Sequence, residues 1–255
     1  MIVIYISTSS INIFHGYRNG TFQNSATYSN NVRCFPTMVA VSDINNDNNL
    51  DVIFVCPSKK FFTGANSHPN SIAVDDFNND NQLDIVVTNE DVNSIGLLLG
   101  YGNENFANQT ILLNQSDFQP FSITIADIDH DHCLDIIVAN HKNESISVIF
   151  GDGNDKVKSI IQYSIGYSSR PYSIVLYDFN NDTHIDIAVT DDATNTINIL
   201  FEYGNISFEK INTLSTGYNS KPLSLAVGDF NNDLLLDLAV TLTGTNNIGI
   251  LSKLC

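Results

Sequence analysis

The chain has 255 residues, 43% of them apolar, and its 28 Asp and Glu outnumber 11 Lys and Arg to leave a formal net charge of −17. That apolar fraction supports a packed core and excludes wholesale disorder, and the length suits one large domain or two small ones. So acidic a balance argues against nucleic acid and anionic membrane as partners, because both need clustered Lys and Arg, and favours a chain that binds cations.

The first segment, Met1 to Ile6, is apolar but short, lacks a basic stretch and runs into Ser and Thr, so it does not read as a signal peptide. No apolar run approaches the roughly 18 residues that span a bilayer, and no membrane insertion is expected. Residues 11–22 match residues 197–208, so the chain is expected to begin partway through a repeat, with that repeat's third and fourth strands. The N-terminus is then expected to be incomplete, and terminal strands from both ends could share one unit.

Five segments then align without gaps, beginning at Val41, Val74, Ile125, Leu176 and Val227. Their first acidic positions are Asp43, Asp76, Asp127, Asp178 and Asp229, the last three intervals being 51 residues and the first 33. Each 51-residue unit offers an alternating segment, an acidic loop, a β-branched run, and two further segments separated by Gly and Asn turns. Short runs rich in Val, Ile, Tyr and Phe bounded by turn residues predict strands, and no window keeps helical apolar spacing. Four short antiparallel strands per 40–50 residues predict an all-β fold, a β-propeller of four-stranded blades. The units run near 36–68, 69–119, 120–170, 171–221 and 222–255, with 1–35 a partial blade; the first unit is short by a third strand and its turn, so it is degenerate or incomplete.

The acidic loop reads D-x-[DN]-x-D-x-x-x-D. Positions 1, 3, 5 and 9 are Asp43, Asn45, Asp47 and Asp51; Asp76, Asn78, Asp80 and Asp84; Asp127, Asp129, Asp131 and Asp135; Asp178, Asn180, Asp182 and Asp186; and Asp229, Asn231, Asp233 and Asp237. Oxygen groups at odd spacing let a tightly turning backbone aim successive side chains at one centre. Ca²⁺ takes six to eight oxygens in irregular geometry and suits this set, whereas zinc or copper would need imidazole or thiolate. Position 7 varies freely as Asn49, Gln82, Cys133, His184 and Leu235, as a ligand supplied by the backbone carbonyl would allow. Up to five Ca²⁺ are expected, which would bring the net charge from −17 to −7. Plain Asx-rich turns also favour Asp and Asn, but they would tolerate drift, and all fifteen residues at positions 1, 5 and 9 are Asp.

These loops resemble the FG-GAP/VCBS repeat family, whose best-known members form the propeller of integrin α subunits. The resemblance covers nearly the whole chain and implies that each loop joins the first and second strands of a blade and binds Ca²⁺. The family often has Gly at loop position 6, where this chain has Asn48, Asn81, His132, Thr183 and Leu234; a positive φ would strain Thr183 and Leu234 there. The Phe-Gly and Gly-Ala-Pro elements that name the family are poorly kept, residues 99–106 being the nearest echo.

Calcium is expected to be mainly structural, leaving the opposite rim for a ligand. There Tyr167 with Arg170 and Tyr218 with Lys221 recur in equivalent turns, and a Tyr beside a cation can grip a sugar or an acidic peptide. His130, His132 and His184 fall in the loops, where they should face solvent, and no nucleophile or phosphate-loop motif is seen. The expected function is a non-enzymatic module that binds an extracellular protein or glycan, as in cell adhesion. A hydrolytic propeller acting on glycans or phosphoesters and a purely structural repeat segment remain alternatives. Modest calcium sites fill outside cells, so an extracellular or cell-surface setting is expected. Six glycosylation sequons, at Asn19, Asn108, Asn114, Asn143, Asn181 and Asn205, permit it. Cys34, Cys56, Cys133 and Cys255 allow three disulfide pairings and show no zinc-like spacing.

Overall fold

A computed structural model describes residues 2–5, 10–16, 22–29, 38–55, 63–204, 206–231, 233 and 235–252. Every regular element among them is a strand. β1 (Ile2–Tyr5), β2 (Ser10–Gly16) and β3 (Phe22–Ser29) form a three-stranded sheet, and β4 (Val39–Ser42) and β5 (Asp51–Phe54) a two-stranded one. Three full blades follow. The first is β6 (Pro69–Asp75), β7 (Asp84–Asn89), β8 (Ser94–Leu98) and β9 (Thr110–Asn114). The second is β10 (Pro120–Ala126), β11 (Asp135–Asn140), β12 (Ser145–Gly151) and β13 (Val157–Ser164); the third is β14 (Pro171–Tyr177), β15 (Asp186–Asp191), β16 (Thr196–Glu202) and β17 (Phe208–Ser215). β18 (Pro222–Gly228), β19 (Asp237–Leu242) and β20 (Asn247–Leu251) close the series as a three-stranded sheet. All neighbours pair antiparallel in chain order, and β4, β6, β10, β14 and β18 pack side by side as the inner strands of a β-propeller.

Two expectations about the ends need correction. The chain opens one strand earlier than expected, because the apolar segment at its start pairs with β2 as β1, Ile2 opposite Ile13. The terminal strands belong to separate sheets, β1-β2-β3 and β18-β19-β20, rather than to a shared blade. The segment that would complete the first unit, 56–62, and Cys34, Cys56 and Cys255 lie outside the described residues; Cys133 is a free thiol.

Among the described residues the core lies between blades rather than within one. A strand's side chains alternate between its two faces, so each blade feeds two seams. On β11, Ile136 and Val138 join Phe77, Val86, Ile95 and Leu97 of the preceding blade, while Ile137 and Ala139 join Ile174, Ile187 and Val189 of the next. β7, β11 and β15 are consequently buried along their whole length, which is why these second strands read as continuous apolar runs. Truncating one such Ile to Ala costs about 2–5 kcal/mol.

Polar bonds repeat along the seams. The hydroxyls of Ser71, Ser122 and Ser173 accept from the N–H of Ile123, Ile174 and Leu225 in the following blade, at 3.3, 3.4 and 3.3 Å. Where β6, β14 and β18 slip register after their Pro, the N–H groups of Ser71, Ser173 and Ser224 donate to Thr88, Thr190 and Thr241. Thr190 Oγ1 in turn donates to Leu223 O of the next blade at 2.9 Å. β11 carries Ala139 at this position and pairs it with Ser122 in the ladder instead.

Candidate functional site

Each acidic loop connects a first to a second strand and folds by the same local bonds. The position-1 carboxylate accepts from the N–H groups of positions 5 and 6; Asp178, for example, takes Asp182 at 3.0 Å and Thr183 at 2.8 Å. The position-3 side-chain oxygen accepts from position 5, as Asn180 does from Asp182 at 3.0 Å, and position 5 accepts from position 7. The same bonds form around Asp43, Asn45 and Asp47, around Asp76, Asn78 and Asp80, and around Asp127, Asp129 and Asp131. In the last loop Asp229, Asn231 and Asp233 repeat the described part.

This winding places positions 4 and 6 in the left-handed region: Asn46, Asn79, His130 and Asn181 at φ 58–61°, and Asn48, Asn81, His132 and Thr183 at 64–75°. Asn tolerates such φ values, whereas a β-branched residue is strained by them, so the expected strain at Thr183 is present, at φ 75°. Leu234 lies outside the described residues.

Position 9 lies deeper than the loop's other oxygens. Asp84, Asp135, Asp186 and Asp237 are fully buried at the start of their strands. One carboxylate oxygen accepts from the position-2 N–H, that of Phe77, Ile128, Phe179 or Phe230, at 2.8–3.0 Å, and Asp51 takes Ile44 at 3.1 Å. The other oxygen accepts from the end of the third strand: Gly100 N–H to Asp84 at 2.8 Å, Gly151 to Asp135 at 3.1 Å, and Glu202 to Asp186 at 2.9 Å. The third strand passes so close that a Cβ on Gly100 would lie 2.1 Å from Leu83 O. Burial pushes Asp84, Asp135 and Asp186 up to about 6 despite these bonds, with the loop's other carboxylates adding to the rise. A buried anion facing further anions is the setting a hard cation relieves, so the donor set fits Ca²⁺. In the third loop, carboxylate oxygens of Asp127, Asp129 and Asp135 lie within 4.8 Å of one another.

Three position-7 side chains turn toward the third-to-fourth-strand turn of their own blade. Gln82 approaches Gly102, the Cys133 thiol approaches Gly153, and His184 approaches Gly204. Contrary to the expectation of a solvent-facing ring, His184 Nδ1 sits 3.1 Å from Glu202 Oε2, whereas His132 is 97% exposed. The third loop is also distinctive: Lys158 Nζ on β13 donates to Asp131 at 2.9 Å and lies 4.0 Å from Asp129, and its ammonium holds Asp131 down to about 2.

On the opposite rim, Tyr167 and Tyr218 are 92% and 98% exposed at turn tips. Arg170 is not free for a ligand: its Nε and Nη2 grip Asp192 at 2.6 and 2.5 Å. Lys221 N–H donates to Asn195 at 3.0 Å. Sequence reasoning missed what lies beside Arg170. Phe121 stacks on His141 with centroids 4.0 Å apart, and Tyr172 tilts against both at 4.2 and 5.3 Å. Glu90 gathers the amides of Asn70 and Gln119 and lies 3.2 Å from His68 Nδ1. The signal was available. Pro and Ser flank one position in four repeats, yet that position changes from Asn70 to Phe121, Tyr172 and Leu223.

Among the described residues no helix is long and apolar enough to cross a membrane. No curated protein matches the chain. Among solved structures, virginiamycin B lyase from Staphylococcus aureus, in a catalytically inactive form with quinupristin, is 19% identical with a TM-score of 0.64, over 99% of this chain and 80% of that one. The selenomethionine form of that enzyme gives 18% identity and a TM-score of 0.61, over 99% and 80%. A streptogramin B lyase gives 16% and 0.60, over 98% and 78%. At these identities the likeness is one of fold. The model of the FG-GAP-like repeat matches three times, over residues 76–138, 133–189 and 178–240. The chain belongs to the FG-GAP-like repeat family.

Proposed function

We propose that this chain is a calcium-binding extracellular propeller that acts as a non-enzymatic binding module for a protein or glycan, with the ion serving mainly to hold its hairpins. The observation that carries the reading is the buried position-9 aspartate, repeated at Asp84, Asp135, Asp186 and Asp237, with further carboxylates of its loop beside it at Asp84, Asp135 and Asp186. When bound, Ca²⁺ supplies the opposite charge. Positions 1, 3 and 5 would offer side-chain oxygens, position 7 its carbonyl, and position 9 the buried closing carboxylate.

The chain's own bonds explain why an ion here would stiffen the fold. Position 9 already joins the loop to the third strand, so an ion seated on it would couple three strands of a blade. Ligand affinity for the folded state alone then adds directly to stability. Sites of modest affinity fill only at extracellular calcium levels, which supports a location outside the cell. The lyase activity named for the structural neighbours is theirs; likeness of fold does not carry chemistry to this chain. The test is thermal melting with excess chelator and with millimolar Ca²⁺. The reading expects a clear upward shift with calcium, and coincident curves contradict it.

A further inference from the structure

We propose that the rim away from the acidic loops carries a carbohydrate site at the inner-strand starts, with Phe121, His141 and Tyr172 as its platform and Asn70 and Glu90 as its polar wall, the Arg170–Asp192 pair bounding it. It rests on the reading of the chain as a binding module and names that module's ligand class and contact residues.

Three successive blades meet here. Asn70 and Glu90 stand at the start of β6 and the end of β7, Phe121 and His141 at the corresponding ends of β10 and β11, and Arg170 and Tyr172 around the start of β14. Contacts cross both boundaries: Gln119 Nε2 donates to Glu90 Oε1 at 2.9 Å, and Tyr172 tilts against Phe121 at 4.2 Å. The three rings are each part-buried, so they form a held surface rather than loose side chains. Burial lowers His141 to about 4, and its Nε2 is buried without a hydrogen-bond partner.

The charge pattern disfavours an anion, and the aromatic platform favours a sugar. Asp192 is matched by Arg170, and Glu90 is held by two amides and His68. With Arg170 taken up by Asp192, an anionic ligand would find no unmatched cation and would meet Glu90 and the field of a chain at −17. A neutral polyhydroxyl ligand does not meet that objection. Its C–H face lies on aromatic rings, and its hydroxyl pairs match planar amide and carboxylate groups. The fold does not demand these residues. The same register in the next blade holds Leu223 in place of Tyr172 and Thr243 in place of Asp192, with the flanking Pro222 and Ser224 kept.

The experiment is an NMR titration of the full chain in calcium buffer with the methyl glycosides of glucose, galactose, mannose, fucose and N-acetylglucosamine, following the His141 ring resonances. Expected is a saturable shift with at least one sugar, at the millimolar affinity, about −4 kcal/mol, usual for a small site. It should weaken at least about tenfold in Tyr172→Ala and be unchanged in Tyr218→Ala. Should Tyr172→Ala fail to fold, Asn70→Ala replaces it with the same expectation. No shift with any sugar overturns the proposal. So does a titration that survives both Tyr172→Ala and Asn70→Ala, or a response to an arginine-rich peptide but to no sugar. Calcium stoichiometry measured on the same samples separates the two claims: sugar binding without calcium uptake overturns the calcium reading alone, and calcium uptake without sugar binding overturns this one alone.

Discussion

The carboxylate of Asp186 accepts the backbone N–H of Glu202 at 2.9 Å, sixteen residues on, while its second oxygen takes the Phe179 N–H at 2.8 Å. One buried side chain thus ties the acidic loop, the second strand and the end of the third. Position 9 therefore ties strands together without an ion, whereas Asp182 at position 5 accepts from within its own loop. In Asp186→Asn an amide would face a buried N–H and leave it unmatched, at a cost of about 1–3 kcal/mol. That loss, roughly 2–4 °C of Tm per kcal/mol, should appear even in excess chelator. Asp182→Asn keeps the oxygen that accepts from His184 and gives up the bond from Asn180 Nδ2 within the loop. It should melt close to the parent in chelator and lose only part of the calcium-induced shift. Paired melting curves check both.

The Thr88 hydroxyl stands where the β6–β7 ladder slips. It accepts from Ser71 N–H at 3.0 Å and lies 3.3 Å from the carbonyl of Phe121 in the next blade. Thr88→Val keeps the shape and strands a buried N–H, so a loss of about 1–3 kcal/mol is expected in denaturant unfolding. Ala139, at the same place in the next blade, shows why the penalty is local. There the backbone ladder itself pairs with Ser122.

Thr183 holds φ at 75° where other loops place Asn48 and Asn81. Thr183→Asn relieves left-handed strain worth about 1 kcal/mol without the entropy cost of Gly. Tm should rise by a few degrees with calcium and without it, as scanning calorimetry would show.

His141 protonates near 4 in the folded chain, because burial and the Arg170 charge outweigh Glu90 and Asp192, against an ordinary value near 6.5. The unfolded chain therefore binds the extra proton first as pH falls. The stability this group contributes is full above pH 6.5 and is lost toward pH 4. His141→Phe preserves a ring against Phe121 and Tyr172 and removes the titration. Its Tm should fall less than the parent's between pH 6.5 and pH 4.5.

The blade period and the acidic loops were legible because repetition multiplies a weak local signal: one Asp-rich turn is ambiguous, five in register are not. The continuous apolar runs of β7, β11 and β15 likewise announced strands covered on both faces. β1 was not legible, because four apolar residues carry no turn signal or repeat partner. The solvent-facing reading of His184 failed because a loop position says nothing of the neighbouring turn, where Glu202 waits. The stack of Phe121, His141 and Tyr172 was hidden for a related reason. Its members are 20 and 31 residues apart, and only the propeller brings them together.

Native mass spectrometry across a calcium titration, with isothermal calorimetry on the same sample, measures whether the acidic loops take up the ion. Saturable uptake of up to five ions is expected, removed by chelator, with one ion fewer in Asp182→Asn. A chain that stays folded in millimolar calcium yet takes up no ion would contradict the calcium reading.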